Sequence, residues 1–209
     1  MSFRIDLKVF FFILIFYLTK QIEIYSYMML FAFIHELGHF FAGVVLGFKT
    51  ESINLTPLGF SIKFKIAEQE YNKKVRRSSY LELKKIIIAL AGPITNLIII
   101  CLCVVLDINF YNKETIIFSN LLIAIFNLLP IYPLDGGRII KNIFTLCFGR
   151  EKAYTYIINL SNLMMFVFTF IGSILVYYFK SIAIFLIIVF LWGIVLNENR
   201  YLKALTSNQ

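Results

Sequence analysis

The sequence predicts an all-α polytopic membrane protein: six transmembrane helices with a small β-hairpin at the membrane surface. Three observations predict it. Of 209 residues, 60% are hydrophobic and only 15% charged, against roughly 45–50% apolar in soluble domains. Six apolar segments, at about 7–18, 26–48, 83–106, 115–134, 154–179 and 181–196, approach or exceed the ~20 residues a helix needs to cross a bilayer. Basic residues then sort the connections. Seventeen of the 20 Lys and Arg fall at the termini and after the second and fourth segments, leaving Lys20, Lys113 and Lys180 for the other side. Because basic residues concentrate on the cytoplasmic face, both termini are expected there.

The net charge of +8 is therefore a topological signal, and no nucleic-acid partner is expected. Segment 7–18 lacks a small-residue cleavage site after its apolar core and reads as a retained first span. Cys101, Cys103 and Cys147 lie in or beside apolar runs and read as small buried hydrophobes without a disulfide framework. With six spans consuming more than half the chain, residues 1–209 are expected to form one domain.

The connection at 52–67 alternates apolar and polar residues. Ile53 and Leu55 precede, and Phe60, Ile62, Phe64 and Ile66 follow, the turn-forming Pro57-Leu58-Gly59, the pattern of a β-hairpin. Open strand edges are not tolerated in lipid, so it should lie against protein or in the interface. Residues 68–85 read as a cytoplasmic loop leading into the third span.

The strongest chemical signal is His35-Glu36-Leu37-Gly38-His39, within the second apolar segment. On a helix, positions i and i+4 share a face, so both imidazoles can reach one metal ion while Glu36, about 100° away, addresses a water. Ionisable groups at bilayer depth are expensive and usually functional. These are also the chain's only two histidines. A catalytic zinc takes three protein ligands and leaves one position open. Most other acidic residues fall in connections or at termini, and Asp107 closes the third span on the far side, which leaves Asp135.

Depth agrees. The second and fourth spans both run inward, and His39 lies nine residues before Phe48, about 13 Å along a helix. Pro130 and Pro133 break the fourth span, while Gly136-Gly137 permit a sharp turn that keeps Asp135 near the metal. Asn127 is a candidate for holding substrate backbone or an oxyanion, or for a helix-to-helix hydrogen bond. Ala91-Gly92-Pro93-Ile94-Thr95-Asn96 reads foremost as a close-packing segment.

With these residues, the chain resembles the site-2 protease family of intramembrane zinc metalloproteases, peptidase family M50. HELGH at 35–39, AGPITN at 91–96 and NLLPIYPLDGG at 127–137 look like its three signatures, in order. The likeness is greatest to the branch of stage IV sporulation protein FB, though the 209 residues hold neither that branch's CBS domain nor the PDZ domains of another. Nucleotide control through such a domain is thus not expected.

One Zn2+ is thus expected on His35, His39 and Asp135, with Glu36 catalytic; an unwound substrate added as a strand to the hairpin would meet Phe60 and Ile62, with Asn127 the further candidate for the substrate. The resemblance implies a membrane-associated protein substrate, a pro-sigma-K-like precursor within the sporulation branch, and inhibitory membrane partners. It implies a bacterial cell membrane, the outer forespore membrane within that branch, with the site toward the cytoplasm. A metal-ion transporter would also bury His and Asp in a helical bundle, but usually between repeated halves at the midplane. An inactive relative that only binds a partner would be expected to have lost His or Glu from the motif.

Overall fold

The structure, a computed structural model, describes residues 2–5, 8–18, 20, 22–56, 59–65, 75–106, 113–179 and 182–207. The chain divides into two compact units, 1–127 and 128–209.

The first unit carries β1 (Ser2–Ile5), α1 (Lys8–Leu18), α2 (Ile22–Val45), β2 (Lys49–Thr56), β3 (Gly59–Lys65), α3 (Val75–Val105) and α4 (Lys113–Asn127). α2, α3 and α4 pack against one another. Phe31 and Ala32 of α2 and Ile123 of α4 form a buried cluster, extended by Tyr27, Met28, Ile34, Ile99 and Ile116. The outward faces remain apolar: Phe41 and Val45 of α2 are 62% and 84% exposed. Such bare apolar faces suit contact with lipid rather than water.

β2 and β3 pair antiparallel, with Ile53 opposite Ile62 and Leu55 opposite Phe60. β1 adds to the free side of β2 in parallel, making a three-stranded sheet in the order β1-β2-β3. Alternation could not reveal β1, because four residues are too few to establish a period of two.

The second unit holds α5 (Asp135–Phe148), α6 (Arg150–Phe179) and α7 (Ile182–Ser207). Ile157, Ile158 and Leu202 form its buried cluster. Polar side chains bind α6 to α7 where lipid offers no alternative partner: Trp192 donates to Thr169 at 2.9 Å and Asn199 donates to Asn162 at 2.8 Å.

Among the described residues, four helices are long and apolar enough to cross a membrane: Ile22–Val45, Ser79–Val105, Arg150–Tyr178 and Phe185–Leu205. α1 and α4, where the first and fourth spans were expected, have 11 and 15 residues. The fourth segment departs from expectation. Its helix stops at Asn127, and residues 128–134 are non-helical up to a new helix that opens on Asp135. Pro130 and Pro133 lack the backbone donor and clash with a preceding turn, which explains a helix ending before both.

Candidate metal centre

His35 and His39 stand one turn apart on α2 and are both buried. Each ring is held through Nδ1 by an oxygen of α3. His39 Nδ1 lies 2.7 Å from the carbonyl oxygen of Ile88, and His35 Nδ1 bonds the side-chain oxygen of Asn96. A carbonyl oxygen can only accept, so each Nδ1 carries the proton, and in the neutral ring Nε2 keeps its lone pair.

The two Nε2 atoms lie 3.2 Å apart, with the rings nearly perpendicular at 87°. Two lone pairs that close repel unless a cation lies between them. Two imidazole nitrogens on one tetrahedral zinc, each at about 2.0–2.1 Å, would be about 3.3 Å apart. The pair therefore fits a divalent cation such as zinc.

Two glycines allow the rings this position. A Cβ on Gly92 would overlap Nε2 and Cε1 of His39 and Nε2 of His35. A Cβ on Gly38 would overlap the Thr95 hydroxyl, which donates to Ala91 at 2.8 Å. The AGPITN segment thus does two things. Its small residues permit close packing, as the sequence suggested, and its asparagine orients His35, which packing considerations missed. An amide within an apolar span was the available signal.

Asn96 is itself held. Its Nδ2 donates to Asn120 Oδ1 at 2.8 Å, and Asn120 Nδ2 donates to the Ile116 carbonyl at 2.9 Å. Glu36 lies beside His35 on α2, half-buried.

Asp135 is the first residue of α5 in the second unit and is buried. A helix N-terminus favours a carboxylate through its unpaired N–H groups and dipole. Arg138 Nη1 approaches at 3.6 Å, a long pairing in which the aspartate is covered and the arginine exposed. Residues 128–132 fold back onto the next two positions. A Cβ on Gly136 would overlap the Leu128 carbonyl, and one on Gly137 the backbone of Ile131 and Tyr132. Ser161 Oγ accepts from the Tyr132 N–H at 2.9 Å, tying that loop to α6.

Asn127 closes α4 and donates to the Ile123 carbonyl of its own helix at 3.1 Å. α4 ends there, so no continuous helix joins Asn127 to Asp135, as an unbroken fourth span would have had it. Phe60 and Ile62 lie in β3 opposite Leu55 and Ile53. Their side chains fall outside the described residues.

The sequence matches the profile of peptidase family M50 over residues 24–112 and 108–172. The chain belongs to peptidase family M50. A zinc metalloprotease of Methanocaldococcus jannaschii is 31% identical over 147 residues, covering 66% of this chain and 39% of that protein. Stage IV sporulation protein FB of Bacillus subtilis is 28% identical over 141 residues, covering 66% of this chain and 46% of that protein. The chain thus spans less than half the length of these M50 relatives.

The solved structure of the site-2 protease from Methanocaldococcus jannaschii matches with a TM-score of 0.71 at 21% identity, over 95% of this chain and 92% of that one. The likeness shows a shared fold. With its apolar helices, M50 membership makes this an integral membrane protein.

Proposed function

We propose that this chain is an intramembrane zinc metalloprotease that hydrolyses a peptide bond of a membrane-associated protein substrate. The observation that carries the reading is the histidine pair: both Nδ1 atoms anchored on α3 oxygens and both Nε2 atoms 3.2 Å apart, on a helix apolar enough to cross a membrane. His35 and His39 ligate through Nε2, and Asp135 supplies the third ligand. The support for this set is chemical: a catalytic zinc takes three protein ligands, the two histidines share one face of α2, and all three side chains are buried.

When bound, zinc supplies Lewis acidity toward the scissile carbonyl and lowers the pKa of a water toward about 7. Glu36 takes the proton of the attacking water on its carboxylate and returns it to the leaving amine nitrogen. Asn127 holds substrate backbone or the developing oxyanion through its amide. An unwound substrate adds as a strand beside β3, where Phe60 and Ile62 contact it. Main-chain pairing would hold the peptide extended, which a helical substrate cannot achieve alone.

Residues 1–209 act as one domain of six spans, with the shorter α1 and α4 serving as the first and fourth. The charge distribution supports cytoplasmic termini and a site on the cytoplasmic side. The similarity to stage IV sporulation protein FB supports a sigma-factor precursor of the pro-sigma-K kind as substrate and the outer forespore membrane as location. Co-expression with membrane-tethered transcription-factor precursors tests the substrate class. A precursor shortened by the wild type and left whole by Glu36→Gln supports the assignment. Processing equal in both strains contradicts it.

A further inference from the structure

Two fully buried asparagines on separate helices stand in line behind His35: Asn96 on α3 and Asn120 on α4 are each 0% exposed. Burying such amides is costly unless their hydrogen bonds are made. Here the bonds form a chain with a single direction. The Ile116 carbonyl can only accept, so Asn120 must turn its NH2 group toward it, at 2.9 Å. That turns the Asn120 oxygen toward Asn96, whose NH2 donates to it at 2.8 Å. The Asn96 oxygen is then turned toward His35, where it can only accept from Nδ1. Reversing either amide would set donor against donor or acceptor against acceptor at one of the three links.

We propose that Asn120 is a positioning residue for the metal ligand His35, acting through Asn96: a backbone carbonyl on α4 sets the tautomer of an imidazole on α2. The inference rests on the reading of His35 as a ligand through Nε2. His39 provides the contrast, since its Nδ1 is fixed directly by the Ile88 carbonyl and needs no relay. Three helices are thereby joined by polar links between buried side chains, shielded from water. Partners that orient a metal-bound histidine typically alter metal affinity 10–100-fold when removed.

The chain of 209 residues has two histidines, so this chain labelled with 15N-histidine gives four ring-nitrogen signals, two from each ring. In detergent micelles, the metal-free wild type should show His35 protonated at Nδ1. Asn120→Leu, which removes the acceptor from Asn96, should give a tautomer mixture at His35 and leave His39 unchanged. Chelator competition should show zinc binding weakened about 10–100-fold. Asn120→Asp with its carboxyl protonated keeps both a donor for the Ile116 carbonyl and an acceptor for Asn96, and should restore both readouts to near wild type. If Asn120→Leu fails to fold, Asn120→Ala removes the same acceptor without bulk, and the same changes are expected.

Unchanged His35 signals and unchanged zinc affinity in the folded Leu or Ala variant would overturn the relay while leaving the metal site intact. A wild type that binds no stoichiometric zinc would overturn the metal site itself.

Discussion

The side-chain oxygen of Asn96 accepts the Nδ1 proton of His35 across the α2–α3 contact. This bond decides which ring nitrogen remains for a metal, and it defines a direct prediction. Asn96→Leu removes the acceptor and leaves a buried N–H unsatisfied, at about 1–3 kcal/mol. Zinc affinity should fall about 10–100-fold, as measured by chelator competition. Affinity equal to wild type in a folded variant would show that the bond does not orient the ligand.

Gly92 faces both imidazoles, and any Cβ there would occupy the space of His39 and His35. Gly92→Ala should displace both rings, cost about 1–3 kcal/mol through overpacking and abolish stoichiometric zinc binding. Gly193→Ala provides the control, because beyond the adjacent backbone of its own helix nothing lies within 4 Å of a Cβ at that position. Zinc content and thermal stability of the two purified variants separate a local clash from a general effect of adding a methyl group to a helix.

Gly136 and Gly137 seat residues 128–132 on the first turn of α5. In Gly136→Ala the added methyl group meets the Leu128 backbone, so the loop or the helix start must shift. Asp135 begins that helix and should move with it. The variant should retain its helical content by circular dichroism yet bind zinc at least tenfold more weakly. A substitution that leaves zinc affinity unchanged would separate the Asp135 position from the close approach at Gly136.

Much of this arrangement was legible in the sequence. HELGH within an apolar run indicated two histidines sharing one face of a helix, and α2 carries both, buried. The bounds of α1 at 8–18, against an expected 7–18, follow the apolar run because little polar helix extends beyond it. α3 starts at Val75 rather than near 83, and α7 runs to Ser207 rather than 196. Their polar ends fold as helix without a hydropathy signal, so helix and apolar segment differ in extent.

Asn96 was read for its small neighbours rather than its own amide, since spacing does not reveal which residue on another helix meets it. α5 escaped notice for a different reason. Its apolar positions Ile139, Ile140, Ile143 and Phe144 are interleaved with Arg138, Lys141 and Asn142, and the basic residues were weighed as topology markers. The end of α4 at Asn127 follows from Pro130 and Pro133, which sequence reading placed as breaks but did not project back to the last helical turn.

The most direct test of the central claim follows cleavage of a membrane-tethered substrate and zinc content in the same purified preparations of wild type and Glu36→Gln. Glu36 lies on α2 between the two histidines but belongs to neither of their anchoring bonds to α3. The variant should hold one zinc per chain, as the wild type should, and lose cleavage by at least about 100-fold, the lower range for a positioned acid–base group. Cleavage at the wild-type rate by Glu36→Gln, or equal cleavage by wild-type protein stripped of zinc, would contradict the account.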